Sequence, residues 1–229
     1  MLNASSYLAK PNWSIHSILP PDLLRQSWDG WHLGLLDGHA LRVAAYSYVT
    51  AKALGLSDSK AEELRTASAF HDIGKLMIPE DILDKPGLLN NNERARVEAH
   101  TLYGYEMLRD SSHQLMEQAA LIALHHHEKV DGSGYPYGLN SDEIPLYARI
   151  VSVCDVFDAL STDRAYREAL PEKKVMELLW QGAGSHFDRD VLHAFAEALE
   201  HYPDLGNRLR TFCDFDVSRT NSAIYFQHS

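Results

Sequence analysis

The sequence predicts an all-α fold, and three observations carry that expectation. Apolar residues recur at three- and four-residue intervals through most of the chain. No stretch alternates with period two over a useful length, as a half-buried strand would. Glycine, proline and capping residues close the periodic runs where helices should end. With 229 residues, 45% of them apolar, the chain can bury one substantial core, so a single helical bundle is expected.

Residues 1–34 read as an irregular arm without a domain of their own, because turn formers crowd KPNWS, LPPDLL and WDGWH and leave room only for a short helix from Asp22 to Ser27. From Gly38, HALRVAAYSYVTAKALG is helical in period and stops at Gly55. The next helix, SDSKAEELRTASAFHDIG, starts on a Ser or Asp cap, carries Glu62 and Glu63 in its first turns and ends at Gly74. After the Pro-containing linker MIPEDILDKPGLL, helices are predicted over 91–109, 114–128, 145–161, 172–182 and 189–200. DGSGYPYGLNSDEIP is a loop, since its glycines and prolines break either regular structure. The main domain is placed at 35–200, and residues 201–229 form a short helix and a tail.

The longest apolar runs, such as ARIVSVCDVFDAL over 148–160, contain charges and are too short to span a bilayer. The N-terminus has no basic flank followed by an apolar block, so a soluble cytoplasmic protein is expected, with no membrane partner. Cys154 and Cys213 form no CxxC pair, which removes a disulfide framework or zinc knuckle from consideration. A formal net charge of -11 argues against tracking a nucleic-acid polymer. A small phosphate ligand held by local cations stays open. Thirteen histidines alongside many carboxylates suit a transition metal.

In FHDIGK, His71 and Asp72 fall at the C-terminal end of the predicted helix, about 100° apart around its axis, so adjacent side chains can converge on one centre. A carboxylate has two oxygens and can bridge two cations. His39, His100, the pair within ALHHHEKVDGSGYP and Asp155 lie on or beside other apolar helical faces, where an unpaired polar group is costly to bury. Four helices each directing a His or Asp inward make a metal-site pattern. Among the three consecutive histidines the outer two point about 200° apart, so only an adjacent pair can share a metal. Spacing allows His125 with His126, or His126 with His127.

The blocks GHALRVAAYSYVTAKALGLS, HDIGKLMIPEDILDKPGLL, HTLYGYEML, HHEKVDGSGYPYGL, IPLYARIVSVCDVFDALSTDRAYREAL and FDRDVLHAF stand in this order between about Leu36 and Leu199. In order and spacing they resemble the HD-GYP group of the HD phosphohydrolase superfamily. The resemblance implies an HD-type helical bundle holding two or three metal ions, and a phosphodiesterase of cyclic dinucleotides, typically cyclic di-GMP. Carried onto this chain, it implies His39, His71, Asp72 and Asp155 on one metal, with Asp72 bridging to His100, His126 and His127 on the second. It thereby selects His126 and His127, with His125 beside them as a residue that orients a neighbour. No ligand is a thiolate, which suits iron or manganese, with nickel or zinc as substitutes.

Two such cations lower the pKa of a bridging water and neutralise the phosphate under attack. Lys75 can place an ammonium on a phosphate oxygen. Arg164 and Arg167, three apart in STDRAYREAL, share a helix face and match the positions where the family grips phosphate. Gly134, Tyr135 and Pro136 form the loop that names the group; it either walls the substrate cleft or docks a partner such as a diguanylate cyclase through Tyr135 and Tyr137. One departure stands out. Members with a third metal carry a glutamate four residues before the first histidine, and this chain has Leu35 there, while Asp37 faces about 200° away from His39 on a helix. A dinuclear site is expected, favouring linear pGpG over GMP as product. Three competing functions are a sensor that binds a cyclic dinucleotide without hydrolysing it, a hydrolase of deoxynucleotides or alarmones, and a phosphodiesterase for cyclic GMP-AMP.

Overall fold

The computed structural model describes residues 38–111, 113–163 and 168–211. Contacts divide the chain into Met1–Gly34 and Leu35–Ser229, and every described residue belongs to the second unit. The predicted Asp22–Ser27 helix, Leu35, Asp37, Cys213, Arg164 and Arg167 lie outside the described residues. Regular structure among the described residues is helical, with only two isolated β-bridges, so the all-α expectation holds.

The helices are α1 (Gly38–Ala53), α2 (Asp58–Ser68), α3 (Glu80–Leu83), α4 (Asn91–Glu98), α5 (His100–Leu108), α6 (Gln114–His125), α7 (Leu146–Ser161), α8 (Glu172–Gln181) and α9 (Arg189–His201). A further helical stretch, α10, covers 205–211. Short 3-10 turns occupy Ile73–Met77 and Ser141–Glu143. None of these helices is long and apolar enough to cross a membrane.

Helix α7 is buried on most of its circumference, through Ile150, Val151, Val153, Cys154 and Phe157 among others. A helix apolar nearly all round belongs in the middle of a bundle, and α1, α6, α8 and α9 pack against it. Tyr46 of α1, Phe157 of α7 and Phe195 of α9 meet edge to face, with centroids 5.2, 6.0 and 4.9 Å apart. Burying each ring stabilises the bundle by roughly 1.5–3 kcal/mol. Capping follows the sequence: the Ser57 hydroxyl accepts from the Lys60 amide at the start of α2, Asn90 and Glu93 close a capping box on α4, and Asp188 accepts from two amides of α9.

The stretch read as a Pro-containing linker holds the short helix α3, and three boundaries at the site also differ from the sequence reading. The second helix ends at Ser68 rather than Gly74, so His71 and Asp72 stand on a turn leading into the 3-10 segment. The helix predicted over 91–109 is two helices separated at Ala99. At that break the Val97 carbonyl accepts from the His100 ring, 2.6 Å away. The third helix of the set ends at His125, with His126 as its cap and His127 beyond it. In each case a histidine at the boundary turns inward, and its Nδ1 meets a main-chain carbonyl three or four residues earlier.

Candidate metal centre

Asp72 sits at the midpoint of the cluster, and its two oxygens look in different directions. Oδ2 faces His71 Nε2 at 3.4 Å and His39 Nε2 at 4.0 Å. Oδ1 faces His100 Nε2 at 3.3 Å and His126 Nε2 at 3.8 Å. Asp155 Oδ1 approaches His39 Nε2 at 3.1 Å and His71 Nε2 at 3.9 Å. His127 joins the His100 side, its ring centroid 5.1 Å from that of His100. Two groups could each hold a metal ion, His39 with His71 and Asp72, and Asp72 with His100, His126 and His127. The turn after α2 supplies His71 and Asp72, α1 supplies His39, the start of α5 supplies His100, the end of α6 supplies His126 and His127, and α7 supplies Asp155.

The ring orientations are fixed from behind. His71 Nδ1 donates to the Ser68 carbonyl at 2.9 Å, His100 Nδ1 to Val97, and His126 Nδ1 to the carbonyls of Ile122 and Ala123, both at 3.1 Å. A carbonyl only accepts, so each of these Nδ1 atoms carries the proton. Burial, opposed by the Asp72 charge, lowers the pKa of His100, and burial with neighbouring imidazoles drives that of His126 well below its ordinary value. Burial brings His127 down to about 4. Neutral rings with protonated Nδ1 present Nε2 lone pairs, and those of His100 and His126 face Asp72 Oδ1, itself buried without a hydrogen-bond partner. Acceptors converging on one point with no donor between them call for a cation. The residues present therefore fit the divalent ions that the motif pattern implies.

Asp72 stays ionised: burial raises its pKa, and the charges of His71 and Lys75 overcome that and hold it well below the usual carboxylate range. Burial lowers His39, but its hydrogen bonds to Asp155 and Asp158 more than reverse this and raise it to about 10. Asp155 is lowered in turn, its burial outweighed by the hydrogen bond from His39. Lys75 Nζ makes a very short ion pair with Asp72 Oδ2 and is half exposed at the rim.

The loop after α6 is seated against the centre. The Tyr135 ring stacks on His127 at 4.8 Å and 27°. Tyr135 is thus committed inward, in contrast to the exposed docking residue the sequence allowed, whereas Tyr137 is 61% exposed. Gly134 is required by space: a Cβ there would lie 2.4 Å from the Lys129 nitrogen and 2.6 Å from the His127 oxygen. His125 stays out of both metal groups, 8% exposed, and its ring meets Tyr137 at 6.1 Å.

Two acids escaped the sequence reading. Glu128, only 2% exposed, accepts from the Tyr137 amide at 2.8 Å through one oxygen and from the Leu139 amide at 3.0 Å through the other. Nothing in HHEKV distinguishes it from a surface glutamate. Glu128→Gln turns an amide group toward one of those N–H donors, and is expected to cost about 1–3 kcal/mol of stability in thermal melting. An unchanged melting curve would show that the loop does not depend on this clamp. The other acid is Asp158, one turn beyond Asp155 on α7, which meets His39 Nδ1 at 2.7 Å. A second carboxylate three residues on, in a largely apolar helix, was the available signal.

The chain is similar to known proteins in sequence and in fold. The model of the HD domain matches residues 31–191. A protein of Vibrio cholerae named 3'3'-cGAMP-specific phosphodiesterase 2 is 42% identical over 166 residues, which are 72% of this chain and 31% of that protein. The cyclic di-GMP phosphodiesterase response regulator RpfG of Xanthomonas campestris is 43% identical over 147 residues, 64% of this chain and 39% of the relative. The chain thus spans about a third of the length of these curated relatives. Among solved structures, Bd1817, an HDG"Y"P protein from Bdellovibrio bacteriovorus, superposes with a TM-score of 0.58 at 22% identity, covering 79% of this chain and 58% of that one, a likeness of fold.

Proposed function

The chain belongs to the HD domain family, and from that premise we propose that it is a metal-dependent phosphodiesterase that opens cyclic di-GMP to linear pGpG, with GMP as a further product, at a dinuclear site. The observation that carries the proposal is the carboxylate of Asp72, each oxygen turned toward a different pair of imidazole nitrogens. In this reading His39, His71 and Asp155 hold one ion with Asp72, and His100, His126 and His127 hold the other with it. The nitrogen and carboxylate donor set supports iron or manganese, with nickel or zinc able to substitute.

The ions, when bound, supply charge neutralisation at the phosphate and acidify a water. The residues of this chain do the rest. The buried imidazoles and carboxylates hold their geometry before substrate arrives, so little reorganisation is needed at the reacting centre. Lys75, at the rim, offers its ammonium to a phosphate oxygen. Arg164 and Arg167 are assigned to the second phosphate on the strength of the family resemblance. The Glu128-clamped loop, with Tyr135 against His127, forms a wall of the cleft, and exposed Tyr137 offers a contact to a signalling partner such as a diguanylate cyclase.

Anaerobic protein loaded with Fe(II) or Mn(II) should convert cyclic di-GMP to pGpG, followed by separation of the products. Tight binding with no turnover would replace the enzyme by a sensor. The same centre serves cyclic GMP-AMP, the substrate for which the Vibrio cholerae relative is named, and the ratio of kcat/KM for the two dinucleotides decides between them. Lys75→Ala should lower kcat about 10- to 100-fold, the equivalent of one charge-assisted hydrogen bond, while both ions stay bound. Loss of metal in that variant would assign Lys75 to holding Asp72 instead.

A further inference from the structure

Four of the histidines of the centre are held in two different ways. His71, His100 and His126 lean on main-chain carbonyls three or four residues earlier in their own segments. His39 is the second residue of α1, so the helix offers it no carbonyl at that spacing. Its Nδ1 instead meets Asp158 Oδ2 across 119 positions of sequence, at 2.7 Å. Asp158 is 1% exposed, and Arg42, one turn along α1, grips it with two bonds, Nε to Oδ1 at 2.7 Å and Nη2 to Oδ2 at 2.9 Å.

We propose that Asp158, braced by Arg42, is the positioning residue of the His39 half of the centre, so that one of the two ions depends on it and the other does not. The inference rests on the dinuclear reading above. The carboxylate can only accept here, because each oxygen already faces a donor. His39 must therefore carry a proton on Nδ1, and Nε2, which faces Asp155 and His71, is the atom that can take the metal once the ion displaces its proton. A carboxylate behind a ligating imidazole fixes the tautomer and the ring plane and raises the basicity of the ligand. Arg42 keeps that carboxylate from rotating, and because Arg42 and His39 share α1, the brace also ties the start of α1 to α7. On the opposite side the tautomers of His100 and His126 are set by main-chain carbonyls, which no side-chain substitution removes.

The test is metal stoichiometry rather than turnover. Wild-type chain and Asp158→Asn are stripped of metal, titrated with Mn(II), and read by metal analysis after gel filtration and by electron paramagnetic resonance. Asn can accept from His39 or from Arg42, but its amide turns a donor toward one of them. Wild type should take two ions and show an exchange-coupled signal. Asp158→Asn should keep the first ion at wild-type affinity and lose about 10- to 100-fold in affinity for the second, giving the six-line signal of isolated Mn(II). Two ions bound with unchanged affinity by the variant would overturn the proposal. So would equal weakening of both, which marks a general loss of structure. Should Asp158→Asn fail to fold by circular dichroism, Arg42→Lys carries the test, since it keeps a cation but loses the two-pronged grip; there the second ion alone should weaken, and unchanged affinities reject the brace. A wild-type chain that takes up no Mn(II) overturns the metal reading itself, separately from the role of Asp158.

Discussion

Asp72→Ala is expected to lose both ions together and to drop turnover of cyclic di-GMP by more than about a thousandfold, roughly 4 kcal/mol of barrier. The simultaneous loss is the informative part. Each of the imidazoles falls in one of the two groups that could hold an ion, whereas Asp72 falls in both and sends Oδ2 toward His39 and His71 and Oδ1 toward His100 and His126. Its removal also leaves Lys75 without its closest anion. Metal analysis and product chromatography on the same sample check both parts. A variant that keeps one ion at full affinity would show that the carboxylate serves a single metal and would refute the bridging role.

Gly74→Ala is expected to destabilise the chain by about 3 kcal/mol or more, since it presses a methyl group against backbone that cannot yield cheaply. A Cβ at this position would lie 1.9 Å from the His100 carbonyl oxygen and 2.5 Å from the Gly104 amide nitrogen. The corresponding fall in melting temperature is roughly 6–12 °C for a domain of this size. Metal uptake should suffer as well, because relieving the clash separates the Asp72 turn from the start of α5, where His100 stands. Gly104 answers Gly74 from the facing side, and a Cβ added there would lie 3.0 Å from Ala123 Cβ on α6. A melting curve close to wild type would show that the two segments can part without consequence.

Much of this was legible in the linear sequence. Period, caps and breakers located the helices, and the motif blocks named the residues that the structure brings together from five segments of the chain. The reading of Gly74 shows the limit. In sequence it stands where a helix terminator would, yet its φ is not positive, and what demands glycine there is the approach of another backbone. The histidine run shows another. Angular spacing left two adjacent pairs open, and resemblance to the HD-GYP blocks chose between them; in the structure His126 and His127 join the metal group while His125 packs on Tyr137. Helix ends were misplaced by several residues at His71 and His126, where the chain leaves the helix and a ring turns inward onto main-chain carbonyls, a tertiary demand that propensity and periodicity do not register.

The sequence by itself determined the class of fold and, with the family resemblance its motif blocks carry, the imidazoles and carboxylates that cluster, Asp158 excepted, because residue type and period along one helix are written directly in the chain. Only the tertiary structure decided which oxygen of Asp72 faces which histidine, that Asp158 and Arg42 stand behind His39, that Glu128 holds the loop, and that Gly74 is a crossing point. Each of these is a distance of 2 to 4 Å between atoms whose residues lie up to 119 positions apart. Such distances are set by how whole helices pack on α7 and on one another, and periodicity along a single segment carries no information about them.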